Sequence, residues 1–326
     1  MIAMKAVPQA WFMRIAFLLW VVSLSAVTAQ ETVTDELVTR PVVSEDVSPL
    51  MPIEPVASDG YRGEGYMRRP PGDGPFPAVV FVHGGLTRWP TDDLLNYSHR
   101  AHPSRFLAAG FVVAVVTYRS RDDDPQSDVS RKDVVAAIDQ LKALPYVDSA
   151  SLVVRGTSGG GDLALAVAAT TDVAAIIAEE PASIMFTGIW NEESPKAGDR
   201  YTPRDGNEIF ENPSAYYTDE WKRHTQAKIA SINAPILIVQ GHPSRNINSF
   251  NAAVLLPELA AAGKTFDVHE YAEEPHSFAF YSQPGRTPRP SVALKAYEAM
   301  VEWLMPHLAT KPVPIEPSLV QYSQWP

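Results

Sequence analysis

The chain has 326 residues, of which 45% are hydrophobic and 20% charged, as in a globular protein that buries a substantial core. Its formal net charge of −11 argues against binding to nucleic acid or to an anionic membrane surface, since both are negatively charged. The chain contains no cysteine, which excludes a thiol nucleophile and disulfide bonds.

The first 29 residues have the features of a secretory signal peptide. Lys5 and Arg14 carry positive charge, residues 15–22 are continuously apolar, and small residues precede an expected cleavage after Ala29. That apolar run is too short to span a bilayer, which takes about 20 residues. We therefore expect a secreted or periplasmic protein with no stable membrane insertion after cleavage. An uncleaved anchor or a buried first helix is the alternative.

Strands alternate with helices along the next part of the chain. Residues 30–59 are polar, contain proline and lack periodicity, which predicts an N-terminal arm or linker before a domain at 60–310. Helical periodicity fills the gaps between apolar runs, so we expect a doubly wound, mostly parallel α/β sheet. The predicted strands are 77–82, 111–118, 151–155, 173–178, 235–240 and 265–271, of which the last alternates as an edge strand does.

One segment interrupts this alternation. Residues 182–230 are polar and contain several glycines and prolines, which predicts a cap-like insertion over a site. Its aromatic residues are expected to offer a wall to a substrate. They are Trp190, Tyr201, Phe210, Tyr216, Tyr217 and Trp221. Residues 311–326, with three prolines, are expected to form an extended C-terminal tail.

The strongest motif is Gly-x-Ser-x-Gly at residues 156–160, within VVRGTSGGGDLAL. It follows an apolar strand and precedes a helical segment, which is the strand–turn–helix of a nucleophile elbow. Glycines two positions before and after Ser158 let the strand and the helix approach closely. Ser158 is the expected nucleophile; a glycine-rich turn with a solvated serine is the alternative. A phosphate-binding loop is disfavoured, because the lysine that it needs is missing.

A nucleophilic serine also needs hydrogen-bond donors for the oxyanion. The segment FVHGG, residues 81–85, ends the first predicted strand. The backbone N–H groups of Gly84 and Gly85, together with that of Gly159, are expected to form the oxyanion hole. We expect His83 to brace this loop by hydrogen bonding and to take no direct part in the chemistry.

A general base completes the minimal set. His276 lies in the loop after the last predicted strand, where the chain order of Ser and His in such enzymes places the base; His242 is the competitor. The remaining histidines show no metal-ligand spacing, so no metal and no organic cofactor are expected.

These segments resemble the α/β-hydrolase superfamily, and within it the branch that joins dienelactone hydrolases to the catalytic domains of prolyl-oligopeptidase-type (S9) peptidases. The resemblance covers about residues 60–308. It rests on GPFPAVVFVHGG, DVVAAIDQLKALPYVDSASLVVRGTSGGGDLAL, PILIVQG and LLPELAAAGKTFDVHEYAEEPHSFAF. It implies an α/β-hydrolase fold with the cap inserted after strand six of the family's sheet, Ser158 as nucleophile and His276 as general base.

The chain differs from this branch in three respects. Dienelactone hydrolases use a cysteine nucleophile, which this chain lacks. The segment before residue 60 is too short for the propeller that S9 peptidases add, so we expect no gating by one. The family's acid usually follows the strand at 235–240, where the sequence offers only His242, Pro243, Ser244 and Arg245.

An acid can also follow the preceding strand. Glu179 and Glu180 end that strand before Pro181, an arrangement that resembles the pancreatic-type lipases. Glu180 is the expected acid that would orient His276. The alternatives are two solvated glutamates, Asn248 as a neutral orienting residue, or a Ser–His pair without an acid.

The sequence thus predicts an exported serine hydrolase that acts through an acyl-enzyme on a small carboxylic ester. One alternative is an S9-type serine peptidase acting on short peptides, which shares the same acylation chemistry. The other is a non-catalytic binding protein on a hydrolase scaffold, supported only by the missing acid.

Overall fold

The computed structural model describes residues 39–194, 196–202, 204–242, 246–279 and 290–324. The expected signal peptide at 1–29 lies outside these residues. Among the helices of the described ranges, none is long and apolar enough to cross a membrane.

An eight-stranded sheet forms the centre of the fold, in the order β2–β3–β5–β4–β6–β7–β8–β9. Six neighbouring strands, from β5 to β9, pair in parallel, and β3 joins them antiparallel. All six strands predicted from sequence are confirmed as β4 to β9. The strands are β1 Thr39–Val43, β2 Met51–Ile53, β3 Gly65–Arg68, β4 Phe76–Val82, β5 Val112–Val116, β6 Val147–Thr157, β7 Ala175–Glu179, β8 Ile236–Gln240, β9 Phe266–Glu270 and β10 Val320–Gln324.

Helices cover both faces of the sheet, as the continuous apolar runs of its strands require. Along β4, Val80 packs into one core and Phe81 into the other. The fold is therefore the doubly wound α/β hydrolase fold. The helices are α1 Thr91–Ser98, α2 Ala101–Ala108, α3 Val129–Lys142, α4 Gly159–Ala168, α5 Asn207–Glu211, α6 Pro213–Tyr216, α7 Asp219–Ser231, α8 Asn246–Phe250, α9 Leu256–Ala261 and α10 Pro290–Leu304, with a π-helical turn at Asn251–Leu255 joining α8 to α9.

The predicted arm and tail carry strands that the sequence analysis did not predict. Strand β2, within the segment 30–59, forms one edge of the main sheet, and β1 pairs antiparallel with β10 of the predicted tail. These strands have three to five residues, which is too short for periodicity to identify them.

The segment between β7 and β8 contains α5, α6 and α7 and has a core of its own. The expectation of an aromatic wall is wrong for Trp190, Tyr201 and Phe210, since all three are at most 5% exposed and pack inside the segment. Aromatic side chains in a segment of this length are needed to build a small core. Ile229 of α7 packs on the main sheet, so that helix belongs to the α/β layer.

The C-terminal segment lies directly on the turn before β5. Gly110 has a φ of +102°, and a Cβ at this position would lie 2.1 Å from the carbonyl oxygen of Val313. We expect Gly110→Ala to lower the free energy of unfolding by about 2 kcal/mol or more, because it combines backbone strain with displacement of main chain.

The matched control is Gly263→Ala, where φ is +63° and nothing lies within 4 Å of the added Cβ. It should cost only the backbone strain, about 1 kcal/mol. Urea unfolding measures both variants, and equal losses would show that the contact with Val313 adds nothing.

Candidate active site

Ser158 lies on a sharp turn between β6 and α4, with φ 52° and ψ −119°. This conformation is costly for a residue with a side chain. A Cβ at Gly156 would lie 2.1 Å from the carbonyl oxygen of Gly160, so this crossing of strand and helix requires glycine. The motif therefore forms the nucleophile elbow that the sequence predicts, with the serine half-buried at its tip.

Backbone hydrogen bonds join the elbow to the end of β7. The Ser158 N–H donates to the carbonyl of Glu179 at 2.9 Å, and the Ala182 N–H donates to the carbonyl of Ser158 at 3.0 Å. The Glu180 N–H donates to the carbonyl of Val239 in β8 at 2.8 Å. Glu179 and Ala182 are thus bonded to the elbow, while Glu180 is bonded to the next strand.

Glu180 is fully buried and has a left-handed φ of 43°. Its Oε2 lies 2.8 Å from Nδ1 of His276 and also accepts the N–H of Ser277. Its Oε1 accepts the N–H of Gly241 at 3.1 Å and Nδ2 of Asn248 at 2.9 Å. Burial alone would raise the pKa of Glu180, but the surrounding donors, His276 first, lower it below its usual value.

The segment after β8 therefore donates hydrogen bonds to the Glu180 carboxylate instead of supplying a carboxylate of its own. Asn248, the sequence alternative for an orienting residue, donates to Glu180 and to the carbonyl of His242 at 3.0 Å. His242 itself is exposed. Residues 243–245, where the resemblance would place the family's usual acid, lie outside the described residues.

His276 is about a third exposed and follows β9. Since Nδ1 is bonded to Glu180, Nε2 is the nitrogen left to face a substrate or a nucleophile. The next residue, Ser277, has a φ of 59°, and its Oγ accepts a hydrogen bond of 2.9 Å from Oγ1 of Thr157. The residue before the serine is thus bonded to the residue after the histidine.

A second buried acid, which sequence reasoning left without a role, lies beneath this loop. Glu179 and Arg155 are both fully buried, 3.7 Å apart. Glu179 accepts the N–H of Ala279 at 2.8 Å, and Arg155 donates to the carbonyl of Ala279. The arginine in the apolar strand VVRGT was the available signal, because a charge in a buried strand needs a partner.

The HGG loop packs against the elbow. Gly85 has a φ of +86°, and a Cβ at Gly159 would lie 2.4 Å from its carbonyl oxygen. A Cβ at Gly160 would lie 2.2 Å from the carbonyl oxygen of His83. The structure thus places the loop of Gly84 and Gly85 next to Gly159, and His83 braces it through a bond of 2.9 Å between Nδ1 and the carbonyl of Gly84.

The described residues contain no group of three or more His, Cys, Asp or Glu side chains arranged to hold a metal ion. The candidate site brings together the serine, the histidine, the buried glutamate and backbone N–H groups, which are the parts of an acyl-transfer site.

Residues 97–311 match the prolyl oligopeptidase family. The chain belongs to this family. It is a serine hydrolase of the S9 kind. A search of the curated proteins found no match.

Solved structures with similar folds include esterases and peptidases. Esterase Est22 is 17% identical with a TM-score of 0.57, over 80% of this chain and 84% of that one. The acylaminoacyl peptidase of Pyrococcus horikoshii is 15% identical with a TM-score of 0.59, over 83% and 44%. The dipeptidyl peptidase 4 of Porphyromonas gingivalis is 20% identical with a TM-score of 0.55, over 80% and 36%. The chain thus spans less than half of either peptidase, and these likenesses show the fold alone.

Burial raises the pKa of Glu179 to about 7, with Arg155 opposing the shift and Glu180 adding to it. Because the pKa in the folded state lies above the ordinary value of 4.5, the folded protein retains this proton longer than the unfolded chain does. The contribution of Glu179 to stability should be complete below pH 4.5 and lost as the pH rises through about 7.

Glu179→Gln removes this titration and keeps an oxygen for the N–H of Ala279. Relative to the variant, the wild type should lose on the order of 3 kcal/mol of unfolding free energy between pH 4.5 and 8. Urea unfolding at several pH values measures the difference. Parallel stability curves for the two proteins would contradict the raised pKa.

Proposed function

We propose that the protein hydrolyses small carboxylic esters through an acyl-enzyme on Ser158. The observation that carries the proposal is the pair formed by His276 and Glu180, which is bonded through neighbouring residues to a strained nucleophile elbow. In this proposal Ser158 is the nucleophile, His276 the general base and Glu180 the acid.

The reaction follows from these positions. As Oγ of Ser158 attacks the ester carbonyl, Nε2 of His276 takes its proton, and the Glu180 carboxylate stabilises the imidazolium. The carbonyl oxygen becomes an oxyanion that accepts hydrogen bonds from the backbone of Gly84, Gly85 and Gly159. The C–O bond then breaks, and His276 returns the proton to the alkoxide. Water, activated by the same histidine, releases the acid from the acyl-enzyme.

One observation favours an ester over a peptide. The acidic pair Glu179 and Glu180 is fully buried and bonded to protein groups, so it offers no carboxylate to the amino terminus of a peptide.

The second candidate is an S9-type peptidase that cleaves short peptides, and membership of the prolyl oligopeptidase family favours it. For either activity we propose a secreted or periplasmic location, because residues 1–29 have the features of a signal peptide.

The first test compares p-nitrophenyl acetate and butyrate with dipeptidyl p-nitroanilides. We expect ester hydrolysis by the wild type and a loss of at least about 1000-fold in Ser158→Ala, because the nucleophile is gone. Ser231→Ala, an exposed serine on α7, is the matched control and should retain full activity. Faster cleavage of the anilides would favour the peptidase instead.

A fluorophosphonate probe tests the nucleophile without assuming a substrate. It should label Ser158 alone in the native protein, and peptide mapping by mass spectrometry locates the adduct. An unlabelled native protein would show that the serine is not activated, which contradicts both candidates.

The role of Glu180 is tested by Glu180→Gln, which keeps the size of the side chain but removes its charge. We expect kcat to fall by up to about 10⁴-fold with a much smaller change in KM, because the imidazolium of His276 loses its counter-charge. Glu273→Gln, the same substitution at an exposed position of the loop before His276, should leave kcat unchanged. An unchanged kcat in Glu180→Gln would leave a Ser–His pair without an acid.

A further inference from the structure

Three consecutive carbonyl groups of the HGG loop are each held by a side-chain donor. The hydroxyl of Tyr118 lies 3.0 Å from the carbonyl oxygens of both His83 and Gly85, and its one proton is shared between them in a three-centre hydrogen bond. Nδ1 of His83 lies 2.9 Å from the carbonyl oxygen of Gly84, which falls between them. Since a carbonyl can only accept, both side chains are the donors.

Holding a carbonyl also orients an N–H group, because a trans peptide is planar and its N–H points opposite to its C=O. The carbonyl of His83 shares a peptide plane with the N–H of Gly84, and the carbonyl of Gly84 shares one with the N–H of Gly85. These two N–H groups are the proposed oxyanion donors of the loop. The side chains of His83 and Tyr118 therefore fix the direction in which they point.

This arrangement requires one tautomer of His83. To donate from Nδ1 as a neutral ring, the imidazole must leave Nε2 unprotonated, as an acceptor. Nε2 lies 3.0 Å from Oγ1 of Thr117, and that oxygen already accepts the N–H of Trp89 at 2.9 Å. Because Nδ1 carries the proton that the Gly84 carbonyl accepts, Nε2 is the acceptor in this pair and the Thr117 hydroxyl is its donor.

The surroundings of His83 keep the ring neutral and in place. It is 1% exposed and is stacked between Trp89 and Tyr118, with ring centroids 4.4 and 4.3 Å away and interplanar angles of 11°. Burial lowers the pKa of His83 to about 3, although its bond to the Gly84 carbonyl opposes the shift. The ring is thus neutral over the whole range in which an esterase would be assayed.

We propose that Thr117 and Tyr118, the two residues that follow β5, are positioning residues for the oxyanion hole: Thr117, by donating to Nε2, holds His83 in the tautomer that donates to the Gly84 carbonyl, and the His83 ring and the Tyr118 hydroxyl together orient the N–H groups of Gly84 and Gly85. The chain of donors runs from the Trp89 N–H through Thr117 and His83 to the Gly84 carbonyl. The effect on catalysis rests on the proposed function, whereas the choice of tautomer does not.

The test compares Thr117→Val, which keeps the branched shape but has no hydroxyl, with Thr117→Ser, which restores it. We expect kcat for p-nitrophenyl butyrate to fall about 10- to 100-fold in the valine variant with KM within about threefold. This is less than the roughly 100- to 1000-fold cost of deleting an oxyanion donor, because the N–H groups remain but are misdirected. The serine variant should recover most of the loss.

The tautomer is read directly from two-bond ¹H–¹⁵N correlation spectra of histidine-labelled protein, with His83 assigned by comparison with His83→Gln. The wild type and the serine variant should show a proton on Nδ1 alone. The valine variant should show protonation of Nε2 or a mixture. This signature does not change if the hydroxyl serves only to stabilise the fold, so it separates positioning from stability.

Tyr118→Phe is the second variant, in case the valine variant fails to fold. It keeps the stacked ring and removes only the hydroxyl, so kcat should again fall about tenfold or more with KM retained. Wild-type kcat in both folded variants, equal losses in the valine and serine variants, or an unchanged tautomer in Thr117→Val would overturn the proposal.

The spectra and the rate at which a fluorophosphonate labels Ser158 need no substrate. If the wild type hydrolyses none of the esters, the proposed function fails. The tautomer and the labelling rate of Thr117→Val then still decide the role of Thr117.

Discussion

The site depends above all on the burial of one carboxylate, that of Glu180. Four donors from the segments that follow β8 and β9 surround it: the N–H groups of Gly241 and Ser277, the amide of Asn248 on α8 and the ring of His276. A buried charge with fewer partners would take up a proton. The same bonds that keep Glu180 ionised therefore also hold these segments together.

Backbone strain is concentrated at this point. In the part of the chain that the structure describes, the non-glycine residues with positive φ are Ser158, Glu180 and Ser277. The first two belong to the candidate site, and Ser277 directly follows His276. Such conformations persist only where the surroundings over-determine them. Here the N–H of each of the three residues is bonded, to the carbonyl of Glu179, the carbonyl of Val239 and the carboxylate of Glu180. The hydrogen bonds that join the parts of the site therefore also hold these three strained backbone conformations.

The sequence predicts what depends on local pattern. Continuous apolar runs identified the six central strands, and the glycines around Ser158 identified the elbow. The sequence analysis did not predict β1, β2, β3 and β10, because they have only three to five residues, too few for periodicity to identify. Sequence placed Glu179 and Glu180 at the end of one strand and favoured Glu180 as the acid by resemblance. The residue pattern alone does not show which side chain faces Arg155 and which faces His276. The roles of Thr117 and Tyr118 depend on contacts across two strands, and no motif marks such contacts.

The stretch GHPSRNINSF lacks an acid for a physical reason. A Cβ at Gly241 would lie 3.2 Å from Oε1 of Glu180 and 2.5 Å from the carbonyl oxygen of Glu274, so the glycine leaves room for a carboxylate that arrives from the neighbouring strand. With the Glu180 carboxylate at the end of β7, a second carboxylate after β8 would place two like charges together, and one would have to be neutralised. The loop supplies an N–H and an amide instead. Neighbouring parallel strands end at the same edge of the sheet, so a carboxylate that follows either β7 or β8 can lie next to His276.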